Sequence, residues 1–160
     1  MKNRNLNHRD DWMTPPYFYK ELNKKYNFDF DPCPFMHNTD NWDGLKIEWG
    51  DRNFINPPYS RQLKEAFVKK AVKESYKGKL CVMLLPVSTS TNLFHDIIQP
   101  NADNIEFVRK RIPFLGVNTK NQLVNWHLTD KTPPFDGEHV KNSGMHDSKL
   151  VIFNKTTFKK

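Results

Sequence analysis

The sequence predicts one α/β domain over residues 1–160, a compact, reduced sheet with flanking helices. Three observations carry that prediction. Leu80-Cys81-Val82-Met83-Leu84-Leu85 is an unbroken apolar run of strand length closed by Pro86, the pattern of a strand buried on both faces. Residues 61–77 before it place Leu63, Ala66, Phe67, Ala71 and Val72 on one helical stripe with lysines opposite, and Gly78 ends the stretch. Short strands and helices alternate from residue 28 to residue 108, an order that puts ligand sites beyond the carboxyl ends of the strands.

The elements follow in chain order. Residues 1–11 are polar and charged, as in a flexible arm. Thr14 is placed to cap a helix with Pro15 at its first position, and Tyr17, Phe18, Leu22 and Tyr26 have helical spacing. Phe28-Asp29-Phe30-Asp31 alternates apolar and acidic and stops at Pro32, which predicts a short strand ending in a carboxylate. Residues 33–51 are irregular. Asn53-Phe54-Ile55 is a second short strand, halted by Pro57-Pro58. After the buried strand come a helix from about Thr91 to Ile98 and a strand at Ile105 to Val108. Residues 113–147 lack clear periodicity, and Leu150-Val151-Ile152-Phe153 forms a last strand.

Charge and composition narrow the function classes. Lys plus Arg number 25 against 18 Asp plus Glu, a net +7 that suits a polyanionic partner such as nucleic acid. The aromatic share of 13% indicates that the twelve Phe and four Trp supply much of the burial. Cys33 and Cys81 form no CxxC pair, which argues against a structural zinc and against a disulfide-stapled secreted domain. His95 and the group His127, His139 and His146 match no ligand spacing, so no metal is expected. Ser88, Ser90 and Thr91 lack the glycines of a nucleophile elbow and suit a polar loop and helix cap. No apolar run approaches the roughly 18 residues of a membrane span, so no membrane partner is expected and the predicted location is the cytoplasm.

The chemistry is concentrated in Asn56-Pro57-Pro58-Tyr59, directly after an apolar strand. An exocyclic amine on a nucleobase is a poor nucleophile because its lone pair is delocalised into the ring. Two acceptors, one for each N–H, turn the nitrogen pyramidal and free the lone pair. The Asn56 amide oxygen can be one. The Pro57 carbonyl can be the other, because consecutive prolines fix the turn and leave that backbone outside any ladder. Tyr59 offers a flat face for a base drawn out of a duplex. Thr14-Pro15-Pro16-Tyr17 and Thr132-Pro133-Pro134-Phe135 share the outline, but neither begins with an amide or carboxylate and neither follows an apolar strand. A rigid surface turn with a packed Tyr is the structural alternative.

This motif resembles the (Asp/Asn/Ser)-Pro-Pro-(Tyr/Phe) signature of amino-group DNA methyltransferases. The wider chain is similar to the compact, phage-type DNA N-6-adenine methyltransferase family. The similarity takes in Asp11-Trp12-Met13-Thr14-Pro15, Phe28-Asp29-Phe30-Asp31-Pro32-Cys33, Asp43-Gly44-Leu45, Val82-Met83-Leu84-Leu85-Pro86, Phe94-His95 and Leu150-Val151-Ile152-Phe153.

The resemblance implies a reduced Rossmann-like methyltransferase sheet, S-adenosyl-L-methionine as cofactor, and methylation of the adenine amino group in DNA. It assigns Asn56, Pro57, Pro58 and Tyr59 to catalysis. Asp31 and Pro32 would lie against the methionine part of the cofactor, the Asp31 carboxylate accepting from its ammonium; a solvent-facing strand end is the alternative. Trp12 and Thr14 would enclose the cofactor from the amino-terminal side, with a plain helix cap as the other role for Thr14. Asp43 suits either the ribose or adenine of the cofactor, or a turn before Gly44. Two departures stand out. Pro32-Cys33-Pro34-Phe35-Met36 replaces a glycine-rich loop, and residues 32–55 are too few for two full βα units between Asp31 and Asn56.

Residues 113–147 are a candidate target-recognition insertion. Lys120 and Lys131 are placed there to neutralise phosphates, and Gln122 and Asn125 to bond adenine edges; a loop without that role is the alternative. Two other functions share the motif, a catalytically inactive relative that binds nucleic acid or cofactor, and an amino-methyltransferase for cytosine or RNA. The pattern leaves the oligomeric state open.

Overall fold

The computed structural model describes residues 12–35, 42–117, 122–125, 144 and 146–155. The predicted arm, residues 1–11, lies outside these, as do 118–121, 126–143 and 145 of the predicted insertion. In chain order the elements are α1 (Pro16–Tyr26), β1 (Arg52–Ile55), α2 (Arg61–Tyr76), β2 (Leu80–Pro86), a π-helical segment (Leu93–Ile98) continuing as α3 (Gln99–Asn101), β3 (Asn104–Phe107), β4 (Leu115–Val117), β5 (Leu123–Asn125) and β6 (Ser148–Asn154).

Among the described residues, four strands form a mixed sheet in the order β1-β2-β6-β3. β1 and β2 run parallel, while β6 lies antiparallel between β2 and β3, with Val82 opposite Ile152 and Met83 opposite Val151. β4 and β5 pair separately as an antiparallel ribbon.

The apolar run in β2 behaves as its pattern predicts. Cys81, Met83 and Leu85 enter one core cluster with Phe67, Val68 and Ala71 of α2 and with Leu93 and Ile98. Val82 and Leu84 point to the opposite cluster with Leu22 of α1, Phe54, Ile112 and Phe114. Met83 and Leu84 are both 0% exposed. Burial of each such side chain stabilises the fold by roughly 1.5–3 kcal/mol, so β2 is the spine between two helical layers.

Several local expectations shift. α1 starts one residue later than predicted, with Pro15 as N-cap and Pro16 inside, and its N-cap makes no side-chain bond. Thr14 therefore caps nothing there. Its inward face uses Phe18, Tyr19, Leu22 and Tyr26, whereas Tyr17 is 50% exposed. Asn27 closes the helix in the left-handed region at φ 51°, and its N–H bonds the Asn23 carbonyl at 2.9 Å. Leu63, assigned to the α2 stripe, is 41% exposed because it lies in the first turn, ahead of the packed segment Phe67–Ala71. The strand predicted at Phe28–Asp31 reduces to a single parallel bridge, Phe30 to Asn53. The Thr91–Ile98 helix forms as a π-helix, with the Gln99 N–H reaching the Phe94 carbonyl, and the Thr91 hydroxyl accepts from the Phe94 N–H at 3.2 Å. Residues 113–147 are not wholly an insertion. Phe114 and Leu115 are 4% and 0% exposed, and β4 and β5 fall inside that span.

Candidate active site

The bridge between Phe30 and Asn53, with the Phe54 N–H on the Phe30 carbonyl at 3.0 Å, sets the ends of two chain segments side by side. Asp31 leaves the first and Asn56 the second. The Asn56 side-chain nitrogen donates to the Trp12 carbonyl at 2.7 Å and to the Thr14 hydroxyl at 3.1 Å. A carbonyl can only accept, so this pair of bonds fixes which way the amide points. Its Oδ1, like the Pro57 carbonyl, is engaged by no hydrogen bond among the described residues. The Cys33 thiol donates to the Asn56 backbone carbonyl at 3.3 Å and steadies the same turn from below.

Residues 12–14 are held in turn by the ribbon. Met13 and Leu115 exchange both backbone bonds, at 2.8 and 3.0 Å. Gly116 lies beneath the Trp12 ring, where an added Cβ would stand 2.6 Å from its Cζ3. A side chain at 116 therefore cannot coexist with Trp12 in this position.

Trp12, Thr14, Asp31 and Asn56, four residues singled out from the sequence, line one pocket of about 240 Å³ together with Tyr19 and Phe54. Asp31 Oδ1 accepts from the Cys33 N–H at 3.0 Å, which orients the carboxylate within the turn. Pro32 and Asp43 are not on its wall. Pro32 is buried, and its carbonyl accepts from the Trp42 indole at 3.0 Å. Asp43 Oδ1 accepts from the Leu45 N–H at 3.0 Å and Oδ2 meets Lys46 at 3.7 Å, the geometry of a turn-forming Asp. Gly44 packs directly on this turn, where an added Cβ would stand 2.0 Å from the Pro32 carbonyl oxygen.

Tyr59 is held among rings. It meets Phe114 at 6.1 Å and His146 at 5.5 Å, both edge-on, while Phe114 and His146 stack at 5.8 Å. The Tyr59 hydroxyl and His146 Nε2 are enclosed without a hydrogen-bond partner among the described residues, as is the Ser148 hydroxyl. Each such atom costs roughly 1–3 kcal/mol. Burial pushes the Tyr59 phenol pKa upward. Burial also lowers that of the His146 imidazole, with help from Arg111 and against Asp147.

Met13, Cys33, Gly44, Phe114, Gly116 and His146 were given no site role from the sequence. Only the apolar run Ile112-Pro113-Phe114-Leu115 signalled that its region reaches the core. Of the residues predicted to meet DNA, Gln122 is exposed just before β5 and Asn125 lies opposite Leu115 in the ribbon. Lys120 and Lys131 are outside the described residues. Among the described residues, no group of three or more His, Cys, Asp or Glu is placed to hold a metal ion, and no helix is long and apolar enough to cross a membrane.

A family profile described as DNA N-6-adenine-methyltransferase (Dam) matches residues 2–128. A DNA N-6-adenine-methyltransferase from Escherichia phage T1 is 29% identical over 146 residues, covering 85% of this chain and 52% of the relative. The chain thus spans about half the length of the curated relative it matches. No solved structure matches it.

Proposed function

The chain belongs to the DNA N-6-adenine-methyltransferase family, and on that premise we propose that it transfers a methyl group from S-adenosyl-L-methionine to the exocyclic amine of adenine in DNA. The observation that carries the proposal is the orientation of Asn56. With its nitrogen bound to Trp12 and Thr14, the amide turns its oxygen toward a substrate, as an acceptor for one N–H of the amine. The Pro57 carbonyl accepts the other. Together they localise the lone pair on the nitrogen. Because the Asn56 amide is fixed before substrate arrives, no reorganisation accompanies the reaction, the condition under which such contacts are strongest.

The pocket beside Asn56 suits the cofactor. Trp12, Tyr19 and Phe54 offer aromatic surface for a nucleoside, and Asp31 offers a carboxylate for an ammonium group. When bound, S-adenosylmethionine supplies a methyl group activated by a cationic sulfur. The side chains of Trp12 and Thr14 close the pocket and exclude water. Asp43 is a turn residue in this reading, and Pro32 contributes through its buried backbone. Tyr59, with Phe114 and His146, forms an aromatic seat for the extruded base.

The sheet order supports a reduced Rossmann-like scaffold. β1 and β2 are parallel neighbours, one antiparallel strand is inserted beside them, and the motifs at Asp31 and Asn56 lie beyond carboxyl ends.

The test is direct. Purified protein is incubated with duplex DNA and methyl-labelled S-adenosylmethionine, and the digested nucleosides are identified by mass. Label in N6-methyladenine is the expected outcome. Label in N4-methylcytosine, or only in RNA, would move the substrate to another amine. Cofactor binding without any transfer would identify an inactive relative.

A further inference from the structure

A second, larger cleft of about 460 Å³ opens where the catalytic motif runs into α2. Its walls carry Arg61, Lys64 and Glu65 from the first turns of α2, and Ser90, Thr91 and Asn92 from the turn after β2. Only Ser60 separates Arg61 from Tyr59.

Cations outnumber their counter-charges here. Glu65 meets Arg61 at 3.3 Å, but the Arg61 side chain is 85% exposed, so that pair is weak. Lys64 pairs with no carboxylate among the described residues. Close enough to feel the charge of Lys64, Lys149 is 1% exposed. Its Nζ donates to the Val87 carbonyl at 2.6 Å and lies 4.3 Å from the Phe94 ring centroid, and no described carboxylate pairs with it. Burial and the nearby Lys64 push its pKa down to about 8, as expected where cations gather without an anion.

A phosphodiester matches this lining. It carries one negative charge spread over two oxygens, which a guanidinium can bond in parallel and which an ammonium and hydroxyls can approach from the side. We propose that the cleft seats one backbone phosphate of the DNA strand whose adenine reaches Asn56, with Arg61 and Lys64 as its ligands. This rests on the function proposed above and adds a contact that fixes the strand's register. Phosphate contacts position the duplex and carry no sequence preference, so the cleft acts on affinity and alignment for every target site.

The experiment uses the full chain and a duplex containing a site first mapped by sequencing methylated DNA. Equilibrium binding is titrated at several salt concentrations for wild type, Arg61→Gln and Arg61→Gln/Lys64→Gln. Each is measured on native duplex and on a set with neutral methylphosphonates at single positions around the target adenine. The double variant should bind native DNA roughly tenfold more weakly at low salt, with a salt slope shallower by about 1 for the lost phosphate contact. One methylphosphonate position should weaken wild type and leave the double variant unchanged, while cofactor affinity stays the same in all three proteins. Wild-type affinity and slope in the double variant, or undiminished sensitivity at every position, would overturn the proposal. Absence of methyl transfer with these binding signatures intact would remove the catalytic reading alone. Absence of any DNA binding by wild type would remove both.

Discussion

At the amino end of the parallel strands, the Glu74 carboxylate is 2% exposed and meets Lys79 at 2.8 Å, Lys77 at 3.2 Å and Lys70 at 3.9 Å. Lys79 also donates to the Trp49 carbonyl at 2.7 Å, and Lys70 to the Leu45 carbonyl at 3.2 Å. Burial alone would raise the Glu74 pKa; the hydrogen bonds from Lys79 and Lys77 overcome it and hold the group below its ordinary value. At the carboxyl end the Tyr59 hydroxyl, His146 Nε2 and Ser148 hydroxyl are enclosed without partners among the described residues, and no described carboxylate pairs with Lys149. One orphan, Asn53 Oδ1, breaks the pattern, though the nitrogen of that amide bonds the Gly50 and Leu80 carbonyls. Among the described residues, polar contacts are complete at the amino end and incomplete at the carboxyl end, where the proposed function places its ligands.

That contrast can be broken most forcefully at the completed end. Glu74→Ala leaves buried cations unpaired and should destabilise the fold by about 3 kcal/mol or more in urea titration, without changing cofactor affinity in the folded protein. A loss below about 1 kcal/mol would mean the network is effectively solvated.

At the incomplete end, Lys149 gives the opposite sign. Between about pH 8 and the ordinary lysine value, the unfolded chain keeps a proton that the folded chain has released, so this group makes stability rise with pH across that window. Below pH 8 both states are charged and the full penalty applies. Lys149→Met should therefore be more stable than wild type at pH 7 by an amount on the order of 3 kcal/mol, less the lost Val87 bond, and should lack the rise. Parallel stability curves for the two proteins from pH 7 to 10 would show that Lys149 is not held as a strained cation.

Two smaller effects test the pocket lined by Trp12 and Asp31 as the proposed cofactor site. Asp31→Ala should weaken S-adenosylmethionine binding roughly tenfold, with the rate partly restored at high cofactor, and an unmoved dissociation constant would reduce Asp31 to a turn former. Gly116→Ala forces the Trp12 ring aside. It should weaken cofactor binding by a few-fold, about 1 kcal/mol, and shift tryptophan fluorescence. Unchanged affinity and fluorescence would show that the ribbon does not position Trp12.

Legibility followed the range of each interaction. β2 was readable because an apolar run of six with a terminal Pro has few other solutions, whereas the role given to Asn56-Pro57-Pro58-Tyr59 rests on local chemistry that the fold alone does not test. The alternation of strands and helices put Asp31 and Asn56 beyond strand ends, and only the family resemblance brought Trp12 and Thr14 to the same pocket. What escaped depends on residues distant in sequence. Phe114 and His146 reach Tyr59 across the sheet end, and Gly44 packs against the Pro32 backbone. Lys149 carried no expectation from the sequence, and its register opposite Leu85 and Phe107 buries it. On α1, Tyr17 and Tyr19 sit two positions apart, and only tertiary packing decides that Tyr19 faces Phe28 and Phe54.

The central claim is that Asn56 holds its amide oxygen ready for the substrate amine, and single-turnover methyl transfer at saturating cofactor and DNA tests it most directly. Asn56→Ala should lower the rate on the order of 100-fold or more, about 3 kcal/mol, while calorimetry finds cofactor affinity within a few-fold of wild type. Thr14→Val, which removes one of the two supports of the amide nitrogen and leaves the oxygen in place, should lose only about ten-fold or less. Retention of more than about a tenth of the wild-type rate by Asn56→Ala would contradict the account, because an acceptor that strengthens in the transition state cannot be removed so cheaply.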